Sequence, residues 1–290
     1  MQFDLGVDSL EWLNLTLEIA DVSGVAITEE AVARIETIRD LLREALEATE
    51  GAGIDPLVQP EAVLSEQQRR WIAPLGPLMN LTARAIYAFG RSLMRLLFRV
   101  RVEGSEHLPN DRPWVITPNH ISYLDAFVLA NALRWPELRK TYWAAWTGIV
   151  SSNRMMRFLS RLGRILPVEP TRAARTSLAL GAITLQRGHN LVWFPEGGIS
   201  RRADDVPQEF KPGIGLLLER YRTTVVPVRI CGTREALPPG RRFPRLTRVR
   251  VVLGKAISID ELERTGHGET PGLRITNALR DQVTSLPCEP

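Results

Sequence analysis

Four short apolar runs, at residues 114–117, 191–194, 224–230 and 248–253, alternate with helical stretches, and this alternation restricts the fold more than any other feature. Apolar residues return at helical spacing across 173–187 and 213–221, then across 257–263 and 273–286 near the carboxyl end. Strands alternating with helices predict an α/β architecture, a mixed sheet flanked by helices. In such sheets ligands meet the loops at the carboxyl ends of the strands. The residues after each apolar run are therefore where chemistry is expected.

The first run ends in Pro118-Asn119-His120-Ile121-Ser122-Tyr123-Leu124-Asp125. Histidine titrates close to neutral pH, so an imidazole can take a proton from an alcohol. An aspartate a few residues on can accept a hydrogen bond from the other ring nitrogen and steady the imidazolium that forms. His120 and Asp125 thus supply a base and its orienter. No Gly-x-Ser-x-Gly elbow accompanies them, and Cys231 and Cys288 lie far off in sequence. The expected nucleophile is the substrate's own hydroxyl. A plainer alternative is structural: Ser122 and Asp125 also fit the Ser-x-x-Asp capping box of a helix over 126–133.

Leu191-Val192-Trp193-Phe194 reads as a buried strand stopped by Pro195, which leaves Glu196-Gly197-Gly198-Ile199-Ser200-Arg201 as a loop at its carboxyl end. The glycines let backbone amides approach an anion, and Arg201 and Arg202 can add charge-assisted contacts to a phosphate. Taken alone this is equally a surface turn with incidental arginines. Paired with the His/Asp run upstream, it points to a site.

With both runs in view, residues 71–283 resemble the glycerophospholipid acyltransferase superfamily, which includes 1-acylglycerol-3-phosphate acyltransferases. The family's Asn-His-x4-Asp signature corresponds to Asn119, His120 and Asp125. Its Phe-Pro-Glu-Gly-Thr-Arg-Ser-Arg block corresponds to residues 194–201, with Gly198 and Ile199 replacing the Thr and Arg. Leu162-Gly163-Arg164-Ile165-Leu166-Pro167-Val168-Glu169 looks like a third block, which in relatives closes with a phosphate-holding arginine. Pro170 stands at that place here, with Arg164, Arg172 or Arg175 as candidate substitutes. Val226-Pro227 matches the fourth block.

The resemblance implies transfer of a fatty acyl group from an acyl carrier protein (acyl-ACP) or acyl-CoA thioester to a hydroxyl of a lysophospholipid such as 1-acylglycerol-3-phosphate, in phospholipid biosynthesis. It makes His120 and Asp125 catalytic and places Asn119, Glu196, Gly197, Ser200 and Arg201 at the acceptor. Lys211, in a position where relatives carry Phe-Lys-x-Gly, is either a compensating charge or a surface lysine. The transfer itself calls for no metal or other cofactor. Two lost arginines remove bidentate phosphate donors, which favours an acceptor with a substituted headgroup or another hydroxylated lipid. The alternatives are a noncatalytic membrane-binding or carrier-docking module, and acyl transfer to a non-glycerol lipid acceptor.

Upstream, Asp4-Leu5-Gly6-Val7-Asp8-Ser9-Leu10 resembles the phosphopantetheine attachment motif of acyl carrier proteins, which implies a 4'-phosphopantetheine arm on Ser9. Ser9 would begin a helix whose free amides and dipole suit a phosphodiester; the plainer alternative is that Asp8 or Ser9 is only a helix N-cap. Leu10, Leu13, Leu17 and Val22 keep helical spacing, as do Ile35, Ile38, Leu41 and Leu42 in a second stretch opening at Thr28. Residues 1–50 are expected to form a short, all-helical partial carrier domain, 51–70 a linker interrupted by Gly and Pro, and 71–290 the acyltransferase domain. Carrier domains have a helix before the serine, whereas eight residues precede Ser9 here. The chain accordingly reads as the carboxyl-terminal part of a larger protein, resembling fusions of a ligase, a carrier and a lipid acyltransferase.

A formal charge of +4 favours an anionic partner, and no nucleic-acid motif is present. Two cysteines outside any metal-ligand spacing give no expectation of a disulfide framework or zinc site. From 71 to 99 the chain is rich in apolar residues, but Arg84, Arg91 and Arg95 keep any run short of the roughly 20 residues a spanning helix needs. On a helical wheel these arginines gather on one side, with Leu78, Ile86, Phe89, Leu93 and Leu96 on the other. That pattern predicts an amphipathic membrane-contact helix, part docked on the domain and part in lipid. The expected location is cytoplasmic, peripheral on the inner face of the cell membrane, against an anionic surface and a lipid acceptor.

Overall fold

The computed structural model describes residues 54–288, apart from 151, 169–173, 201, 203–205, 239, 240 and 242; the expected carrier segment, with Ser9, lies outside the described residues. Within them the strands are β1 Arg101–Glu103, β2 Trp114–Pro118, β3 Thr141–Trp146, β4 Ile165–Val168, β5 Asn190–Val192, β6 Thr224–Cys231 and β7 Arg250–Leu253. They form one sheet in the order β1-β7-β6-β2-β5-β3-β4, parallel at every pair except β6 with β7. The mixed α/β sheet expected from the alternation is therefore what forms. Every residue of central β2 is buried. Its Val115 joins Leu191 and Val225 in the core on one face, while Trp114 and Ile116 join Val192 and Val226 on the other. Burial on both faces explains why these strands read as continuous apolar runs.

The helices used below are α1 Pro60–Val63, α2 Glu66–Ile72, α3 Pro77–Phe98, α4 Asp125–Leu129, α5 Arg154–Leu162, α6 Ala174–Gln186, α7 Gly213–Tyr221, α8 Thr233–Ala236, α9 Ile259–Thr265 and α10 Pro271–Ser285. Residues of α6, α7, α9 and α10 fill one core cluster, and those of α3 and α4 the other. The segment expected to be a linker differs from expectation. Leu64 and Ile72 are buried with the α6 face, and Ser65 and Gln68 form a capping box that starts α2. Gly and Pro had signalled interrupted helix there, but the apolar residues between them were enough to seat two short helices on the core.

Gly76 and Pro77 start α3 as N-cap and first residue, within the stretch 71–99 expected to carry the helix. One side of α3 packs inward through Ala83, Met94, Leu97 and Phe98. Another exposes Leu78, Leu81, Phe89 and Leu96, each more than 60% accessible. The arginines run along the border between them, and Arg91 donates to Leu133 O at 2.9 Å and to Tyr87 Oη at 2.6 Å. Among the described residues no helix is long and apolar enough to cross a membrane.

Cys231, at the end of β6, is disulfide-bonded to Cys288 beyond α10, contrary to the expectation from the sequence. α10 packs along β6 and returns the tail to the strand's end, where Arg229 also donates to Val283 O and Thr284 O. A pairing set by that helix has no local spacing to announce it.

α7 and α10 pack in close approach at Gly215, where an added methyl would run into Gly272 O and Thr276 Oγ1. Gly215→Ala is expected to lower unfolding stability by about 1–3 kcal/mol, the usual cost of overpacking. Urea unfolding checks this, and an unchanged midpoint would show that the two helices can separate freely.

Candidate active site

Three adjacent strands place the site. β5, β2 and β6 are parallel neighbours, so the segments leaving their carboxyl ends emerge side by side. These are the Pro195–Ser200 loop, the His120–Asp125 loop, and Gly232 with α8. The two sequence runs singled out above thus meet, and a third segment joins them.

His120 Nδ1 lies 2.8 Å from Asp125 Oδ2. An aspartate oxygen that accepts from Nδ1 puts the ring proton there and leaves the Nε2 lone pair free to take a proton. The imidazole is 21% exposed, whereas the carboxylate is fully buried. Phe194 stacks obliquely on the imidazole with ring centroids 4.5 Å apart, which restricts its tilt. Asp125 Oδ2 also accepts from Ile121 N at 2.7 Å and Ser122 N at 2.8 Å, while Oδ1 accepts from Thr233 Oγ1 at 2.6 Å. Half of the capping-box alternative is therefore real, since Asp125 reaches back to the Ser122 amide. The other half is absent: the Ser122 hydroxyl donates to Leu237 O and accepts from Leu124 N, and it does not cap Asp125. The same carboxylate closes the loop and orients the histidine.

The second run clamps the backbone of the first. Glu196 Oε1 accepts from His120 N at 2.8 Å, and Ser200 N donates to His120 O at 2.7 Å. Glu196 Oε2 accepts from Gln208 N at 3.2 Å. Burial pushes the Glu196 carboxyl above the ordinary glutamate range, opposed by those two amide donors. Gly197, at φ +70°, turns the chain where a side chain would be strained and would also press within 2.8 Å of Lys211 Cε. Gly197 and Gly198 are exposed, and the Lys211 side chain lies against Gly197.

Several expected acceptor residues make hydrogen bonds within the fold. Asn119 is fully buried and spends its amide on β6, donating to Ile230 O at 3.0 Å and accepting from Ile230 N at 2.7 Å. Glu196 and Ser200 are likewise buried, and the Ser200 hydroxyl accepts from Arg202 N. All three brace the loops through these bonds. Gly197 and Lys211 sit at the exposed surface of the site, and Arg201 lies outside the described residues. Of the substitutes considered for the missing arginine, Arg164 precedes β4 at the opposite edge of the sheet and donates to Asn80 Oδ1. Arg175 donates to Ile54 O, and Arg172 is not among the described residues. Sequence reasoning missed α8, whose Thr233 holds Asp125 and whose Arg234 donates to Ser200 O at 3.0 Å. The available signal was its position directly after a buried strand, beside the Val226-Pro227 block.

Residues 99–231 match the family model described as Acyltransferase, and residues 3–44 match that of the phosphopantetheine attachment site. A 1-acyl-sn-glycerol-3-phosphate acyltransferase of Chlamydomonas reinhardtii is 29% identical over 168 residues, covering 55% of this chain and 47% of that protein. The chain therefore spans about half the length of that relative. The crystal structure of the 1-acyl-sn-glycerophosphate acyltransferase from Thermotoga maritima shares the fold, with a TM-score of 0.52 at 21% identity over 79% of this chain and 84% of that one.

If Asn119 is a brace, Asn119→Ala leaves a buried Ile230 N–H and C=O unpaired and should lower stability by about 1–3 kcal/mol. Chemical unfolding measures this. An unchanged midpoint would return the amide to a ligand role.

Proposed function

We propose, from the premise that residues 99–231 form an acyltransferase-family domain, that the chain moves a fatty acyl group from a thioester to a hydroxyl of a lysophospholipid such as 1-acylglycerol-3-phosphate. One observation carries this reading: a histidine oriented by a fully buried aspartate and gripped through both its N–H and its C=O, so that its outer nitrogen is fixed at the carboxyl edge of the sheet.

His120 Nε2 takes the acceptor's hydroxyl proton as the oxygen attacks the thioester carbonyl carbon. Asp125 keeps the ring in the required tautomer and steadies the imidazolium. Collapse of the tetrahedral intermediate breaks the carbon–sulfur bond, and His120 returns the proton to the departing sulfur. The exposed Gly197-Gly198 turn offers backbone amides, and Lys211 a cation, to the acceptor phosphate or the developing oxyanion. Among the described residues a lysine lies against this turn, and its point charge suits a phosphate already shared with a headgroup. The donor, acyl-ACP or acyl-CoA, meets the same carbonyl chemistry in either case.

The acceptor is a membrane lipid, and α3 supplies the contact. Leu78, Leu81, Phe89 and Leu96 present apolar area outward beside Arg84 and Arg95, the arrangement of a helix lying among anionic headgroups. This supports a peripheral position on a membrane surface, the inner face of the cell membrane being the one a cytosolic thioester can reach.

The purified chain offered lysophosphatidate, lysophosphatidylethanolamine or lysophosphatidylglycerol, with acyl-CoA or acyl-ACP, should yield a diacyl lipid by mass spectrometry. His120→Ala should cut the rate by about 10²–10⁴ without changing the unfolding midpoint. Retained turnover in that variant would falsify the mechanism. Thr233→Val, which removes one hydrogen bond to a charged group, is expected to reduce kcat roughly tenfold at constant KM. Replacing Phe89 and Leu96 together by aspartate should abolish co-sedimentation with anionic vesicles, and undiminished binding would move the anchor elsewhere.

A further inference from the structure

We infer that residues 243–248 are a second membrane contact, a loop at the mouth of the site that sets Phe243 and Leu246 into an anionic lipid surface. This rests on the acyl-transfer reading above and adds the direction from which the lipid acceptor reaches His120.

The anchoring of the loop is the first observation. α8 follows β6 directly; its Thr233 holds Asp125, and Leu237 O just beyond it accepts from the Ser122 hydroxyl at 3.0 Å. Arg245 N donates to Ala236 O at 2.7 Å, which ties the loop to the same short helix. At the loop's far end a side chain on Gly232 would run into Arg248 O, and Val249 N donates to Phe98 O at 3.1 Å. The loop therefore bridges the support of the catalytic pair and the last residue of α3.

What it exposes is the second. Phe243 is 81% accessible and Leu246 76%. Scattered singly, such side chains need no explanation, but these have neighbours. Tyr123 in the His120–Asp125 loop, Phe127 of α4 and Leu96 near the end of α3 are exposed as well. The hydrogen bonds above join the segments that carry them. An apolar rim around the reactive edge results.

Charge selects the partner. Between Glu235 and Asp260 the chain carries five arginines and one lysine and no carboxylate. Arg245 and Arg248 are exposed on either side of Leu246, and Arg95 and Arg99 border Leu96. Apolar tips among guanidiniums fit a bilayer with anionic headgroups, the tips entering the acyl region while the cations stay at the phosphates. Pro244 has no amide to leave unsatisfied there.

Held both by α3 and by this loop, the domain cannot pivot about one helix. Tyr123, three residues after His120, then lies at the lipid boundary. A lysophospholipid reaches the imidazole with its acyl chain still in the bilayer.

The test compares the full chain with Phe243→Asp/Leu246→Asp, two exposed positions outside the His120–Asp125 pair. Vesicles of phosphatidylethanolamine and phosphatidylglycerol serve as the probe, read by co-sedimentation and by acyl transfer to lysophosphatidate with acyl-CoA and with acyl-ACP. The variant should bind at least about tenfold more weakly, as two apolar side chains kept out of lipid require. Its KM for lysophosphatidate in vesicles should rise by a similar factor, while turnover of a short-chain lysophosphatidate dissolved as monomers stays at the parent rate. Arg245→Gln/Arg248→Gln should weaken binding to these vesicles and leave the lesser binding to phosphatidylcholine vesicles unchanged. Undiminished vesicle binding by the aspartate variant would overturn the inference. So would lost turnover on the monomeric acceptor, which would put the loop in the reaction itself, or a parent dimer that the variant dissolves with vesicle binding intact, which would make this edge an interface between copies. Silence of the parent chain with both acceptors would bring down the acyl-transfer reading, and vesicle binding would still decide the role of the loop.

Discussion

The peptide unit of His120 is gripped by the loop after β5: its N–H by the Glu196 carboxylate, its C=O by the Ser200 amide. The imidazole can be aimed only if its backbone is fixed, and two side chains behind the loop make that possible. Asn119 pins the preceding residue to β6, and Asp125 gathers the Ile121 and Ser122 amides while holding the ring. A carboxylate as buried as Glu196 is costly without donors, and here both of its oxygens have one. The polar groups of the site are thus mainly internal supports. Among the described residues, one imidazole edge, a glycine turn and a lysine are exposed there.

This arrangement depends on sheet topology more than on any loop. Because β5, β2 and β6 are parallel neighbours, three segments distant in sequence arrive at one edge with fixed spacing. The strands are sealed on both faces, so their ends move little relative to one another. The geometry of the His120–Asp125 pair is in effect borrowed from the rigidity of the core. The same topology separates the two faces, one bearing the exposed apolar side of α3 and the other receiving the chain at Ile54.

How much of this was legible follows the range of each interaction. The strands buried on both faces were plain, because continuous apolar runs have few other uses. β1, β3 and β4 were missed: β1 has three residues, β3 sets alanines among its aromatics, and β4 was read only as part of a motif block. His120 and Asp125 were readable since they lie five apart and act on each other. Asn119 and Glu196 were recognised as belonging to the site, but the backbone groups they hold lie 111 and 76 residues away, to which side-chain identity gives no clue. Thr233 was overlooked for the same reason: its acceptor is 108 residues upstream.

The Cys231–Cys288 bond carries a consequence for where such a chain is sturdy. It closes a loop of 57 residues running through α8, β7, α9 and α10. By chain-entropy reasoning, that closure disfavours the unfolded state by about 4 kcal/mol. Glutathione and thioredoxin keep most cytosolic thiols reduced, whereas oxidising surroundings retain such links. The folded domain's resistance to unfolding is then partly a property of its surroundings, and the strand that feels the change first is β6, whose next two residues lead to the hydroxyl supporting Asp125.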